Sequence, residues 1–283
     1  MPNFVTRFAP SPTGLLHLGH AYSALLAYQA AKARNGRYSL RIEDIDQTRC
    51  KPAFETAILE DLEWLGIEWE QPVRRQSDHF DDYKAALASL RERGLVYRCF
   101  KTRKEITDEI ARAPHTTPEG PQYFGAPLAP SEEQKRIDAG EPFAWRLSIS
   151  AAKKLLGKKF DTLCFRERNS NGDIQEVKAA PDIFGDPVIA RKDAGTSYHL
   201  ASVHDDALQG ITDVIRGTDL ASAAHLHRLL QELLGYPEPI YHHHQLITDD
   251  AGNRLAKRDK SMTLRSLREG GATPSDLIAR LGL

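Results

Sequence analysis

The polar and apolar positions of this chain fall into two alternating rhythms. Residues 3–8 (NFVTRF) read as a short strand ended by APSP. Residues 18–34 then place Leu18, Tyr22, Leu25, Leu26 and Gln29 close to helical spacing. After the turn NGR, residues 38–44 (YSLRIED) predict a second strand. Residues 52–65 predict a helix with Pro52 in its first turn and Ile58, Leu62 and Leu65 on one face. A third helix is expected over residues 78–93, stopped by Gly94. Strand, helix, strand, helix is the pattern of a parallel sheet flanked by helices.

The rhythm breaks over residues 98–180, where Pro and Gly are dense (APHTTPEGPQYFGAPLAP) and the strand-like pieces FAWRLSI and KKFDTLCFRE stand apart. This segment is expected to be an inserted, smaller α+β domain. Alternation resumes with a strand in DPVIARK, a helix over 197–209, the strand TDVIRG, a helix over 220–234 and a strand in PIYHHHQLI. The expected fold is α/β: a Rossmann-like parallel sheet built from residues 1–97 and 181–247. Residues 248–283 add a turn, a basic run and two short helices.

Composition narrows the class without assigning it. With 283 residues, 41% hydrophobic and 27% charged, the chain has an ordinary globular make-up and length for more than one folding unit. A formal charge of -1 creates no overall field toward nucleic acid or membrane, so a nucleic-acid partner needs a local basic face. Cys50, Cys99 and Cys164 are odd in number and far apart, which argues against a disulfide framework and for a reducing cytoplasm. The first residues lack a secretory signal pattern, and no apolar run has the length of a membrane span.

The chemistry begins where the first strand ends, in PSPTGLLHLGH (residues 10–20). A tight turn feeding a helix presents backbone N–H groups and the positive end of the helix dipole, which favour phosphate. His17 and His20 are three apart and share one side of the first turn, with Gly19 between them. A bare H-x-G-H fits a helix cap with surface histidines equally well. Far along the chain, KRDKS (257–261) supplies Lys257, Arg258 and Lys260 after the turn DAGN. A cation on such a loop can close on a nucleotide phosphate. Arg7, Glu43 and Arg216 stand at expected strand ends, where folds of this type bind ligands. A guanidinium fork suits a ligand carboxylate, and a carboxylate suits an ammonium. Each Arg alone fits a structural ion pair, and Asp44 and Asp46 read as capping or hydrogen-bonding residues. In YHHHQLI only His242 and His244 share a strand face, so a metal site is not expected there.

RFAPSPTGLLHLGH, LRIEDIDQTR and LAKRDKS together resemble the glutamyl members of the class I aminoacyl-tRNA synthetases. Their H-I-G-H and K-M-S-K-S signatures look like His17 to His20 and Lys257 to Ser261, with Arg258 and Asp259 in place of Met-Ser. The resemblance implies ATP, with Mg²⁺, held by His17, Gly19, His20, Lys257 and Lys260, and by the backbone of Leu246 and Ile247 at the adenine. His17, His20 and Lys260 are the implied catalytic groups. L-Glutamate is implied at Arg7, Phe8, Ala9, Pro10, Ser11, Glu43, Tyr198 and Arg216. Full-length relatives carry a large anticodon-gripping domain after the loop motif, whereas Ser261 stands 22 residues from the end of the 283-residue chain. Family members without that domain join glutamate to queuosine, the modified wobble base of tRNA(Asp), and the same acceptor is expected here, for a cytoplasmic monomer. The family often holds zinc in the insertion through C-x-C, Tyr and Cys. Here Lys101 and Pro127 replace two ligands beside Cys99 and Tyr123, so no zinc is expected. Three other readings remain: a truncated synthetase charging the tRNA 3′ end, a non-catalytic tRNA-binding relative, and a small nucleotidylyltransferase.

Overall fold

The computed structural model describes residues 4–111, 116–117, 120–247 and 263–283. Its first half runs β1 (Val5–Phe8), α1 (Leu18–Ala33), β2 (Arg37–Ile42), α2 (Pro52–Trp64) and β3 (Glu70–Arg75). These strands lie side by side in the order β1-β2-β3, all parallel. The turn from α1 into β2 depends on two residues. Asn35 takes a left-handed φ of 48°, and a side chain on Gly36 would strike the Phe4 carbonyl at 2.3 Å. β3 was not expected from the sequence. Pro72 and a run of polar residues hide it, and both suit the edge position it occupies.

The chain continues through α3 (Phe80–Glu92) and β4 (Val96–Cys99) into α4 (Arg103–Ala111). The two-residue strands β5 (Thr116–Thr117) and β6 (Gly120–Pro121), α5 (Pro130–Asp138) and β7 (Ala144–Leu147) follow. Next come α6 (Ile149–Leu156), α7 (Lys158–Asp161), β8 (Cys164–Arg168), β9 (Ile174–Lys178) and β10 (Val188–Ala190). β4, β7 and β10 form an antiparallel sheet in the order β10-β7-β4. The strand expected across KKFDTLCFRE is corrected: Lys158–Asp161 is helical, with Phe160 buried, and extended chain begins at Cys164. β8 and β9, expected within the insertion, hydrogen-bond into the sheet of the second half, while β10 pairs with β7.

That second half comprises α8 (Tyr198–Leu208), β11 (Asp213–Gly217), α9 (Ala223–Leu234), β12 (Ile240–His244), α10 (Leu264–Glu269) and α11 (Pro274–Leu281). Its strand order is β11-β12-β8-β9, parallel except for β9. Thr212, just before β11, exchanges 2.9 Å hydrogen bonds with Val5 at the start of β1. The two halves therefore meet between β1 and β11, where the strand order reverses, and such a switch point is where open α/β sheets bind ligands. Leu226, Leu229, Leu230 and Leu233 of α9 are buried in one apolar core. Ala21, Ala24, Leu25, Ala27 and Ala31 of α1 are buried in the other, together with Leu264, Leu277 and Leu281 from α10 and α11. Small residues on α1 bring it close to the sheet, and each fully buried Leu contributes about 1.5–3 kcal/mol. Among the described residues no helix is long and apolar enough to cross a membrane. The three cysteines are free thiols.

One buried charge offsets this packing. Asp61 of α2 is fully buried, and neither carboxylate oxygen has a hydrogen-bond partner among the described residues. Arg268 of α10 approaches it at 3.6 Å but also serves Glu60 at 3.3 Å. Burial pushes the Asp61 carboxyl up to about 6, against the pull of Arg268 and Arg265. The native chain therefore holds this proton more tightly than the unfolded chain. The resulting stabilisation is complete below the ordinary value of 3.8 and is lost as pH rises through about 6. Asp61→Asn is expected to stabilise the fold at pH 7–8 by roughly 1–3 kcal/mol, because each tenfold difference in proton affinity between the folded and unfolded chain is worth about 1.4 kcal/mol. At pH 4 the substitution should gain little. Urea unfolding at both pH values checks this. A less stable variant at pH 7 would mean that Arg268 fully compensates the ionised carboxylate.

Candidate active site

Arg7 and Phe8 end β1, Glu43 follows β2, Arg216 lies near the end of β11, and Tyr198 opens α8. The turn after β1 is stitched to the exit of β2, since the Glu43 amide donates to the Pro10 carbonyl at 3.0 Å and the Lys51 amide to that of Pro12. Pro10 is buried, Ala9 half-buried, and Ser11 exposed at the rim. Arg7, Glu43 and Arg216 are each 5–8% exposed, and all three exert charge effects on the Tyr198 hydroxyl, whose pKa burial raises. Arg7, Glu43, Tyr198 and Arg216, singled out in the sequence, thus lie in one cluster at the switch point.

Residues that the sequence pattern did not single out hold this cluster. Arg41, fully buried in β2, donates to Asp206 Oδ1 at 2.8 Å and to Glu43 Oε1 at 3.1 and 3.3 Å. Arg7 Nε donates to the same Asp206 oxygen at 3.0 Å. Asp206 therefore joins the two guanidiniums. Burial acts to raise its pKa, but Arg7 and Arg41 outweigh it and hold the carboxyl below its ordinary value. Burial pushes Glu43 upward against Arg41 and Arg7. Across the site, Arg216 donates through Nη1 to the Tyr198 hydroxyl at 3.1 Å and through Nε to His243 Nε2 at 3.1 Å. Its Nη2 is buried and has no partner among the described residues. A buried guanidinium nitrogen without an acceptor carries a full desolvation cost, and a ligand carboxylate would remove it. Behind it, His199 and His227 contact each other at 3.2 Å; burial and then Arg216 hold both below the ordinary histidine range, His199 at about 4.

The H-x-G-H stretch caps α1. His17 occupies the N-cap, its Nδ1 accepts from the Gly19 amide at 3.2 Å, and the His17 amide donates to His20 Nδ1 at 3.2 Å. The two rings lie 3.8 Å apart between centroids, as the three-residue spacing requires. Gly19 has a local role in this cap. A Cβ there would press on the His17 ring at 3.2–3.3 Å, so the missing side chain first makes room for the cap. His17 also pairs with Thr263 in an antiparallel bridge, and the Leu264 amide donates to the Leu16 carbonyl. The residues just after KRDKS are thereby spliced to the first motif. Lys257 and Lys260, with Arg258, Asp259 and Ser261, lie outside the described residues.

Several expectations are refined. Strand β12 ends at His244, so Leu246 and Ile247 lie beyond it rather than within it. Leu246 packs over Gly217, where a Cβ would meet it at 2.9 Å, and Ile247 joins the α1 core. His244 Nε2 meets Ser23 Oγ at 2.7 Å, and no group of three or more His, Cys, Asp or Glu that could hold a metal occurs among the described residues. Asp44 takes the Ser77 amide and hydroxyl, while Asp46 takes Thr48, Arg49 and Arg191, so both hold loops. In the inserted sheet, Cys99 packs with Tyr97 and Tyr123, and Lys101 pairs with Glu109 while lying 5.3 Å over the Tyr123 ring.

A parallel sheet with a buried charged cluster at its switch point and a histidine-capped helix beside it is the arrangement expected of a class I synthetase catalytic domain. Residues 3–283 match the family "tRNA synthetases class I (E and Q), catalytic domain", and the chain belongs to that family of ligase-type enzymes. The chain is 46% identical to the glutamyl-Q tRNA(Asp) synthetase of Rhodobacter capsulatus, over 99% of this chain and 100% of that protein. It is 37% identical to the glutamate–tRNA ligase of Aquifex aeolicus, covering all of this chain and 57% of that enzyme. Among solved structures, a glutamate tRNA ligase from Elizabethkingia meningosepticum in complex with its amino acid superposes with a TM-score of 0.73. Identity there is 28%, over 91% of this chain and 52% of the other.

Proposed function

We propose that this protein activates L-glutamate with ATP and Mg²⁺ and transfers the glutamyl group to queuosine at the wobble position of tRNA(Asp). A glutamate carboxylate oxygen attacks the α-phosphorus of ATP, and pyrophosphate leaves. A hydroxyl of the queuosine ring then attacks the glutamyl carbonyl, and AMP leaves. The observation that carries the first step is the cluster of Arg7, Glu43, Tyr198 and Arg216, with the Arg216 Nη2 buried and unpartnered among the described residues. A guanidinium facing a carboxylate and a buried Glu43 facing an ammonium match the charges of glutamate. His17 and His20 supply donors toward the phosphate charge that builds in the transition state, and Lys257 and Lys260 supply cations. Leu246 and Ile247 present backbone to adenine, while Phe8, Ala9, Pro10 and Ser11 wall the amino-acid pocket. Support for queuosine comes from the 46% identity, over its whole length, to a protein named for that reaction. The 37% identity to a glutamate–tRNA ligase supports a second reading, in which the acceptor is the tRNA 3′ end. In the proposed account the enzyme works as a cytoplasmic monomer, and its insertion folds without zinc.

The test is pyrophosphate exchange into ATP. Exchange is expected with glutamate and Mg²⁺ in the absence of any tRNA, and not with aspartate or glutamine. Exchange that requires added tRNA would favour the second reading, and none under any condition would reject the activation step.

A further inference from the structure

Arginine has no hydrogen-bond acceptor, so the 3.1 Å contact between Arg216 Nε and His243 Nε2 can run only one way: the guanidinium donates and the imidazole nitrogen accepts. A neutral ring that accepts at Nε2 carries its proton on Nδ1. That nitrogen faces Glu167 Oε1 at 2.5 Å, and an ionised carboxylate accepts only. The three residues therefore form a directed chain, Arg216 to His243 to Glu167, with each bond fixing the next.

The sheet places them for this. Arg216 of β11 sits in register with His243 of β12, and Glu167 of β8 lies opposite Tyr241 on the other side of β12. The Tyr241 ring is nearly parallel to that of His243, at 8° and 5.8 Å, and the Arg216 guanidinium stands 5.1 Å from the Tyr241 centroid. The His243 side chain is 3% exposed. Held in this way, His243 cannot turn its ring without losing both partners. With Nε engaged by His243 and Nη1 by Tyr198, the guanidinium plane is fixed, and Nη2 is the nitrogen left for a ligand.

We infer that Glu167 and His243 are positioning residues for substrate recognition: Glu167 selects the Nδ1–H tautomer of His243, and that tautomer orients Arg216 toward the substrate carboxylate. Without the carboxylate the ring is free to adopt the Nε2–H tautomer, which sets N–H against N–H at Arg216. The role assigned to the substrate rests on the glutamate-activation reading above; the tautomer does not.

Two measurements on the full-length protein test this. In ¹⁵N-histidine spectra at pH 7, with the His243 signal assigned through its loss in His243→Asn, the wild type is expected to show a protonated Nδ1 and a bare Nε2. In pyrophosphate exchange, Glu167→Ala is expected to raise the glutamate KM about tenfold or more, the scale of one hydrogen bond to a charged group. Its kcat should stay within about threefold and its ATP KM unchanged. Glu167→Gln keeps an acceptor at the same place and should restore both the tautomer and the KM. A wild-type Nε2–H signal, or an unchanged glutamate KM in a folded Glu167→Ala, overturns the inference. Should Glu167→Ala not fold, the wild-type tautomer and the Glu167→Gln KM decide it. Should the wild type not use glutamate, the activation reading fails, and the tautomer alone decides the directed chain.

Discussion

His20→Ala is expected to lower the rate of glutamate-dependent pyrophosphate exchange by about a hundredfold or more while leaving the glutamate KM within a few-fold. Removing one preorganised donor at a developing charge costs roughly 2.7–4 kcal/mol of transition-state stabilisation. In the proposed site the ground-state amino acid gains little from that donor, because it is held by Arg7, Glu43, Tyr198 and Arg216. His20 also belongs to the α1 capping box, accepting from the His17 amide at 3.2 Å. Loss of that cap costs about 0.5–2 kcal/mol of stability, so the thermal midpoint of the variant must be measured with the rate. A stable variant with a near-normal rate would reduce the motif to a helix cap.

Arg216→Ala carries the second large effect, and it falls on binding. The variant removes a guanidinium whose Nη2 has no partner among the described residues, and in the proposed site it leaves a substrate carboxylate desolvated without its counter-charge. The expected result is a glutamate KM raised by about a hundredfold or more, on the scale of 3–5 kcal/mol for breaking a buried charge pair. The ATP KM should change far less. Tyr198 and His243 lose a partner too, so the fold of the variant should be confirmed by its unfolding transition. An unchanged glutamate dependence would remove Arg216 from the site.

The sequence carried the elements whose signals are local. Pro52 in a first turn, the Asn35-Gly36 turn and the apolar faces of α1 and α9 each mark an element within a few residues, and the structure has them there. The strand ends that hold Arg7, Glu43 and Arg216 followed from those elements. What escaped was long-range. Asp206 joins Arg7 and Arg41 across separations of 199 and 165 residues, and no spacing rule reaches that far. A signal for Arg41 was nevertheless present, because it is a charge within YSLRI, a strand whose positions after Arg37 are all buried. Glu167 lies in a stretch whose pattern places it in the insertion, although β8 pairs with β12 beside the site. Helix α6 was hidden even though Ser148 caps it and Gly157 ends it, because the neighbouring FAWRLSI pattern favours strand.

The acceptor of the glutamyl group is decided by comparing two forms of one tRNA. Labelled glutamate, ATP and Mg²⁺ are supplied with tRNA(Asp) carrying queuosine, or with the same tRNA carrying unmodified guanosine, and the labelled nucleotide is located by nuclease digestion. Label is expected on queuosine in the first tRNA and none in the second. Equal labelling of both tRNAs, or label on the 3′-terminal adenosine, would contradict it.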